Sequence, residues 1–193
     1  MILAVVVLAA IGFGSMVRIG GNDGGARRRA AAVFRPVPPV LAHSSPGLLA
    51  VPVTGVARSA IEDSWGDARR DGAGAHHGTD LIAPAGTLVV AAAPGRVEKL
   101  FHSALGGITL YERSVDRHWL YYYAHLAGYA SGVHEGQAVR AGDPLGFVGD
   151  TGDAGPGNFH LHFGLSRVAP EGHWWQGEDV NPFPLLAGRP SRR

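Results

Sequence analysis

Residues 158–164 read Asn-Phe-His-Leu-His-Phe-Gly, and this alternation of large apolar residues with histidines decides the fold. A period of two predicts a β-strand. Side chains two positions apart on a strand lie on the same face. We therefore expect His160 and His162 to point together, with the neighbouring apolar residues packed into a core behind them. Two neutral imidazoles on a rigid strand suit metal binding. A pair of partly exposed surface histidines is the alternative at this stage.

The rest of the ordered sequence predicts short strands and turns. The chain has 193 residues, and its 29 glycines and 13 prolines favour turns over long helices. An apolar run over 87–93, bounded by Pro and Gly, predicts a buried strand, and 96–101 and 108–113 predict two more. We expect a mainly β fold: a single antiparallel β-sandwich or barrel-like domain with short strands and long loops.

An aromatic strand is predicted over residues 119–125, which read Trp-Leu-Tyr-Tyr-Tyr-Ala-His. Regular alternation would divide this strand between two faces. One face would carry Trp119, Tyr121, Tyr123 and His125.

The two ends of the chain differ from the middle in composition. Residues 1–17 contain no charged side chain, so we expect 1–19 to be a signal or membrane anchor, with a core helix as the alternative. Residues 20–48 are rich in Gly, Arg and Pro, which predicts a flexible linker. The predicted domain covers 49–187, and 188–193 form a basic tail.

Charge and cysteine content exclude several classes of function. The chain has no cysteine, so it has no disulfide framework, no thiolate nucleophile and no Cys-ligated zinc. The formal net charge is +1, but residues 50–188 carry nine basic and fifteen acidic side chains, a balance of −6. Nucleic-acid binding relies on Lys and Arg that neutralise phosphates, so we expect no nucleic-acid partner.

Three histidine-bearing segments recur within the predicted strands and loops. They are His76-His77-Gly-Thr-Asp80, Tyr123-Ala-His125 and His160-Leu-His162. Without cysteine, zinc would have to be held by His, Asp or Glu. None of the segments has the helical His-Glu-x-x-His arrangement, so a metal site would be built from strands and loops. Taken singly, each histidine could be an ordinary surface or core residue.

Taken together, these segments resemble the three signatures of the LytM/lysostaphin-type zinc endopeptidases, which cut peptide bonds in bacterial peptidoglycan. The stretches between them are also similar to that family, notably 86–97, 139–152 and Val-Asn-Pro at 180–182. The resemblance extends from about Val51 to Leu186 and keeps the family's order of motifs.

The resemblance implies one Zn²⁺ ion and a specific set of site residues. The implied zinc ligands are His76, Asp80 and His162. The implied catalytic residues, which do not bind the metal, are His125 and His160. The family spacing selects His76 rather than His77 as the first ligand. Many relatives have a basic residue just before that ligand, whereas this chain has Gly74-Ala75.

The implied function is zinc-dependent hydrolysis of peptide crosslinks or stem peptides of peptidoglycan. Such an enzyme would act in the bacterial cell envelope, either membrane-anchored or secreted. One alternative is a catalytically inactive domain of this type that binds wall or activates another hydrolase; such a domain would lack ligands, whereas all five positions are present here. Another is a zinc enzyme with a different target. Three target bonds stay open: a Gly-Gly bridge, a D-amino-acid crosslink and a stem-peptide bond.

Overall fold

The computed structural model describes residues 46–68 and 74–192. The segment 1–19 and most of the predicted linker lie outside these residues. Within the described part, no helix is long and apolar enough to cross a membrane. The longest helix, α1, covers only Phe183–Ala187, and two short 3-10 turns cover Arg58–Ala60 and Gly152–Ala154.

Nine strands joined by antiparallel pairing form one sheet in the described chain. The main sheet has the order β1-β8-β5-β4-β3-β6, while β7 joins β2 to β5 and β9 adds to β8. The prediction of a mainly antiparallel β fold is confirmed. The strands are β1 (Thr79–Ile82), β2 (Leu88–Val90), β3 (Gly95–Ser103), β4 (Gly107–Ser114), β5 (Trp119–Tyr129), β6 (Ala138–Val139), β7 (Pro144–Val148), β8 (His160–Arg167) and β9 (Glu178–Asp179).

Strand β8 is the predicted histidine strand, and it lies between β1 and β5. Its pairing places His162 opposite Asp80 on β1 and opposite Ala124 on β5. Leu161 and Phe163 are fully buried in the core. The alternation expected from the sequence is therefore present, and the sheet register brings a histidine and a carboxylate side by side.

Strand β5 departs from the alternation expected for it. Tyr123 packs against Phe163 in the core, as predicted. His125, expected on the same face, instead contacts the rings of His160 and His162. The reason is its backbone: His125 adopts a left-handed φ of 61°, which interrupts the regular alternation of faces. This positive φ turns the imidazole from the core side to the histidine side.

The core between β4 and β5 contains a buried carboxyl group. Glu112 is fully inaccessible to solvent, and the Tyr123 hydroxyl donates to its Oε2 at 2.6 Å. The same hydroxyl accepts the Ala92 N–H at 2.9 Å. Burial raises the pKa of Glu112 to about 8, and the Tyr123 hydrogen bond only partly opposes this shift. Glu112 is thus largely protonated at neutral pH.

Candidate metal centre and its histidines

Three side chains from two neighbouring strands and the loop before them form a compact group of potential ligands. Asp80 lies on β1, His162 on β8, and His76 in the segment that leads into β1. The Asp80 Oδ1 atom is 3.0 Å from His76 Nε2 and 3.1 Å from His162 Nδ1. The two histidine nitrogens are 2.8 Å apart. All three ligand atoms lie within 4.8 Å of one another.

The chemistry of this group fits a zinc ion. Two imidazole nitrogens and one carboxylate oxygen are a donor set found in catalytic zinc sites, where a fourth position takes water or substrate. Burial alone would raise the pKa of Asp80, but hydrogen bonds and Coulombic attraction from His162 and His76 outweigh it. They hold the pKa of this carboxyl well below its usual range, so Asp80 is ionised as a metal ligand must be.

Backbone carbonyls fix the tautomer of three histidines at the site. In each case Nδ1 lies 2.8 Å from a carbonyl oxygen. The pairs are His76 with Ser64, His125 with Thr151 and His160 with Asn158. A carbonyl can only accept, so the neutral ring carries its proton on Nδ1. Nε2 is then left unprotonated, able to bind a metal or to accept a proton.

His125 and His160 share a cavity of about 310 Å³ with the ligand group. Their ring centroids are 4.8 Å apart. The His160 Nε2 is 4.0 Å from Asp80 Oδ1, and the His125 Nε2 is 3.9 Å from Asp153 Oδ1. Burial lowers the pKa of His125 to about 4, against the raising effect of the Thr151 carbonyl. His125 is therefore neutral at physiological pH.

His77 lies away from this cavity. Its side chain is 56% exposed, and its Nδ1 pairs with Asp179 Oδ2 at 2.9 Å. The ring stacks on Trp65 with centroids 5.4 Å apart. Of the histidine doublet, His76 belongs to the group of potential ligands and His77 does not.

Sequence reasoning missed Ser64, which contacts two members of the ligand group. Its carbonyl accepts from His76 Nδ1, and its hydroxyl accepts the Asp80 N–H at 3.1 Å. No local pattern reveals this role, because the contacts span 12 and 16 residues and depend on how the loop folds back against β1.

Replacing Ser64 with alanine is expected to weaken zinc binding roughly tenfold, since outer-shell partners orient the ligands they contact. The variant loses only the hydroxyl that holds the Asp80 backbone, while the carbonyl that orients His76 remains. Competition with a chromophoric chelator measures the zinc affinity. Ser131→Ala, at an exposed turn, is the matched control. Equal zinc affinity in the Ser64→Ala and control variants would contradict the assigned role.

Comparison with known proteins identifies relatives among wall peptidases. The sequence profile of peptidase family M23 matches residues 74–182. The L-Ala–D-Glu endopeptidase of Bacillus subtilis is 34% identical over 129 residues, which cover 64% of this chain and 38% of that protein. The peptidoglycan DD-endopeptidase ShyC of Vibrio cholerae is 38% identical over 90 residues, covering 46% of this chain and 19% of that protein. The chain thus spans well under half the length of either relative.

A solved structure supports the same relationship. The catalytic domain of lysostaphin from Staphylococcus simulans superposes with a TM-score of 0.54 at 27% identity. The match covers 65% of this chain and 90% of that domain, so it includes nearly the whole of a compact peptidase unit. The family profile covers more than half of the chain and includes the entire histidine and carboxylate constellation. The chain belongs to peptidase family M23.

Proposed function

We propose that this chain is a zinc-dependent endopeptidase that hydrolyses peptide bonds of bacterial peptidoglycan, with residues 49–187 as its peptidase domain. One observation carries the proposal: a three-residue ligand group and two further histidines with defined tautomers converge in one cavity. A purely structural metal site would have four protein ligands and no need for neighbouring proton acceptors.

In the proposed site, His76, Asp80 and His162 hold one zinc ion. When bound, zinc supplies Lewis-acid chemistry that polarises a peptide carbonyl and acidifies a water molecule. The protein's part is to keep these three ligand atoms close together and correctly ionised. The buried, hydrogen-bonded carboxylate of Asp80 and the Nδ1-protonated ring of His76 meet that requirement.

His125 and His160 are the proposed catalytic residues. Each presents an unprotonated Nε2 while its Nδ1 contacts a backbone carbonyl. One of these Nε2 atoms accepts the proton of the attacking water and then donates it to the leaving amine, which completes hydrolysis of the C–N bond. The other ring, with a proton taken up from solvent on Nε2, donates a hydrogen bond to the oxyanion. The 4.8 Å between the two rings lets both reach one peptide group.

The proposed substrate and location follow from the relatives. One relative is named an L-Ala–D-Glu endopeptidase, and the other is named a peptidoglycan DD-endopeptidase. We propose the same polymer as the substrate here, and hence action outside the cytoplasmic membrane in the cell envelope. Attachment to the membrane through residues 1–19 is part of the proposal. We propose no nucleic-acid partner for this chain.

Digestion of isolated peptidoglycan by the full-length protein tests this function. The release of new amine termini is expected, with loss of activity on chelation and recovery on addition of zinc. His162→Ala should lower the rate by at least about a thousandfold, because the ligand group loses one of its three members. His134→Ala is the matched control, since His134 is exposed and its Nδ1 contacts only the Gly132 carbonyl of its own turn.

Two results would contradict the proposal. Amine release that survives chelation or the His162→Ala substitution would exclude the zinc mechanism. Tight binding to peptidoglycan without cleavage by the zinc-loaded protein would favour the alternative of an inactive domain that binds wall or activates another hydrolase.

A further inference from the structure

A second cavity, the aromatic cavity, adjoins the metal centre. It encloses about 620 Å³. His162 lines both this cavity and the smaller one that holds the proposed catalytic histidines. The two cavities therefore share one proposed metal ligand as part of their walls. Residues that define the wall of the aromatic cavity are Tyr111, Tyr122, Trp174, Trp175 and Asp179.

Trp175 presents an indole ring at this wall in a fixed orientation. The indole is 62% exposed although it is a large apolar group. One face stacks on His173 in parallel, with centroids 4.2 Å apart and planes 3° apart. Trp174 contacts it edge-on at 5.4 Å and is itself packed against Tyr111 at 4.8 Å. A ring supported in this way offers a rigid apolar surface.

The loop that carries Trp175 is tied to the sheet by two arginines. Arg113 Nη2 donates to the Gly172 carbonyl at 2.9 Å, and the same guanidinium forms a two-bond pair with Glu98 at 2.6 and 2.7 Å. Arg117 Nε donates to the Pro170 carbonyl at 2.9 Å. The indole therefore does not have to be ordered when a ligand arrives, and preorganisation of this kind favours binding.

The lining combines an apolar platform with polar groups at its edge. Gln176, Ser166 and Asp179 lie around the same cavity as the indole. A pyranose ring has the matching pattern: an apolar C–H face and hydroxyl groups at its periphery. Exposed aromatic residues beside a cavity are typical of binding sites.

We propose that the aromatic cavity binds a sugar ring of the glycan strand, with the Trp175 indole as its stacking platform. This inference rests on the proposed function, because it takes peptidoglycan as the substrate. A cationic diamino side chain is the competing occupant, since aromatic rings and a carboxylate attract cations. The sugar is favoured because Asp179 Oδ2 already contacts His77 Nδ1 at 2.9 Å and Oδ1 accepts from the Ser166 hydroxyl at 2.8 Å. These contacts partly screen the carboxylate from a cation, whereas its remaining lone pairs can still accept from sugar hydroxyls.

The consequence for specificity is a preference for peptides still attached to glycan. Because His162 borders both cavities, a sugar on Trp175 would lie next to the peptide held at the metal centre. The enzyme would then cut close to the glycan end of the stem rather than at a distant crosslink.

Paired substrates test this inference with the full-length, zinc-loaded protein. One is a disaccharide-linked stem peptide, and the other is the same peptide freed of its sugars. We expect kcat/KM to be about fivefold higher for the sugar-linked substrate, the scale of an added aromatic stacking contact. Trp175→Ala should reduce this ratio to one, and Trp175→Phe should keep part of it.

Phe147→Ala is the matched control, because Phe147 is an exposed aromatic residue on β7 that lines neither cavity. It should retain the full ratio. A ratio of one in the unsubstituted protein would overturn the sugar inference while leaving the proposed function intact. An equal loss on both substrates in Trp175→Ala would show instead that the platform binds a peptide side chain.

A binding measurement decides the inference independently of cleavage. Titration of the chelator-treated protein with tri-N-acetylchitotriose should shift the indole N–H resonance of Trp175 and leave that of Trp119 in the core unmoved. No shift at Trp175 would overturn the inference. Failure to cleave either substrate, with the shift present, would count against the proposed function and not against the sugar site.

Discussion

Gly78→Ala is expected to lower zinc affinity and kcat/KM by about a hundredfold, the scale of displacing a catalytic group by roughly 1 Å. A Cβ at this position would lie 2.5 Å from Cε1 and 2.7 Å from Nε2 of His162. It would also lie 2.9 Å from the Phe163 carbonyl oxygen, which belongs to the central strand β8. Because β8 is hydrogen-bonded to a strand on each side, its backbone cannot shift away from the added Cβ. The His162 ring therefore has to move out of the ligand group.

Gly128→Ala provides the matched control for this substitution. Gly128 lies in strand β5, and a Cβ there meets nothing within 4 Å. Competition for zinc and thermal unfolding should be measured on both variants. Gly128→Ala should bind zinc like the parent protein. Parent-like zinc affinity in Gly78→Ala would show that the His162 ring tolerates the added methyl group, and the steric argument would fail.

The free energy of unfolding is expected to fall by about 4 kcal/mol between pH 4.5 and pH 8 through Glu112 alone. Burial raises the pKa of this carboxyl from 4.5 to about 8, so the folded state holds a proton that the unfolded state releases. The contribution of Glu112 is complete below pH 4.5. It is lost as the pH rises through the folded pKa, because ionisation would place a charge in the core.

Glu112→Gln isolates this effect, since the amide keeps the shape and can still accept from the Tyr123 hydroxyl but does not ionise. Urea unfolding should be measured at pH 5, 6.5 and 8.5. The free energy of unfolding of the variant should rise relative to that of the parent protein as the pH rises. Taking the difference between the two proteins cancels the titration of the metal ligands. Glu62→Gln, at an exposed position, should give a difference independent of pH. A constant difference for Glu112→Gln as well would contradict the prediction.

Much of the architecture around the metal centre follows from the sequence because it depends on local alternation. The period-two pattern in 158–164 predicts a strand whose apolar residues are buried, and Leu161 and Phe163 are fully buried in β8. Gly and Pro mark the turns, which fixes the approximate bounds of β3 and β4. The set of ligand residues was available only from the resemblance to a family, since sequence spacing alone does not place residues 76 and 162 together.

Features that depend on a single backbone angle or on loop folding could not be predicted. The face occupied by His125 changes because this residue has a positive φ. The alternation of residues in β5 contains no signal for that backbone angle. Ser64 reaches the ligand group through tertiary contacts. The loop that carries Trp175 is tied down by hydrogen bonds from Arg113 and Arg117 that span 59 and 53 residues. Such contacts are set by the global fold rather than by local propensity.

The backbone carbonyls that hold His76, His125 and His160 have a consequence for how this scaffold can diversify. A main-chain acceptor is present whichever amino acid occupies the position. Substitution at Asn158, for example, leaves the acceptor of His160 in place as long as the loop keeps its path. Selection or laboratory design can therefore alter the side chains that border the cavity without disturbing the protonation pattern of these histidine rings. Substrate range and proton transfer are separable properties in this scaffold.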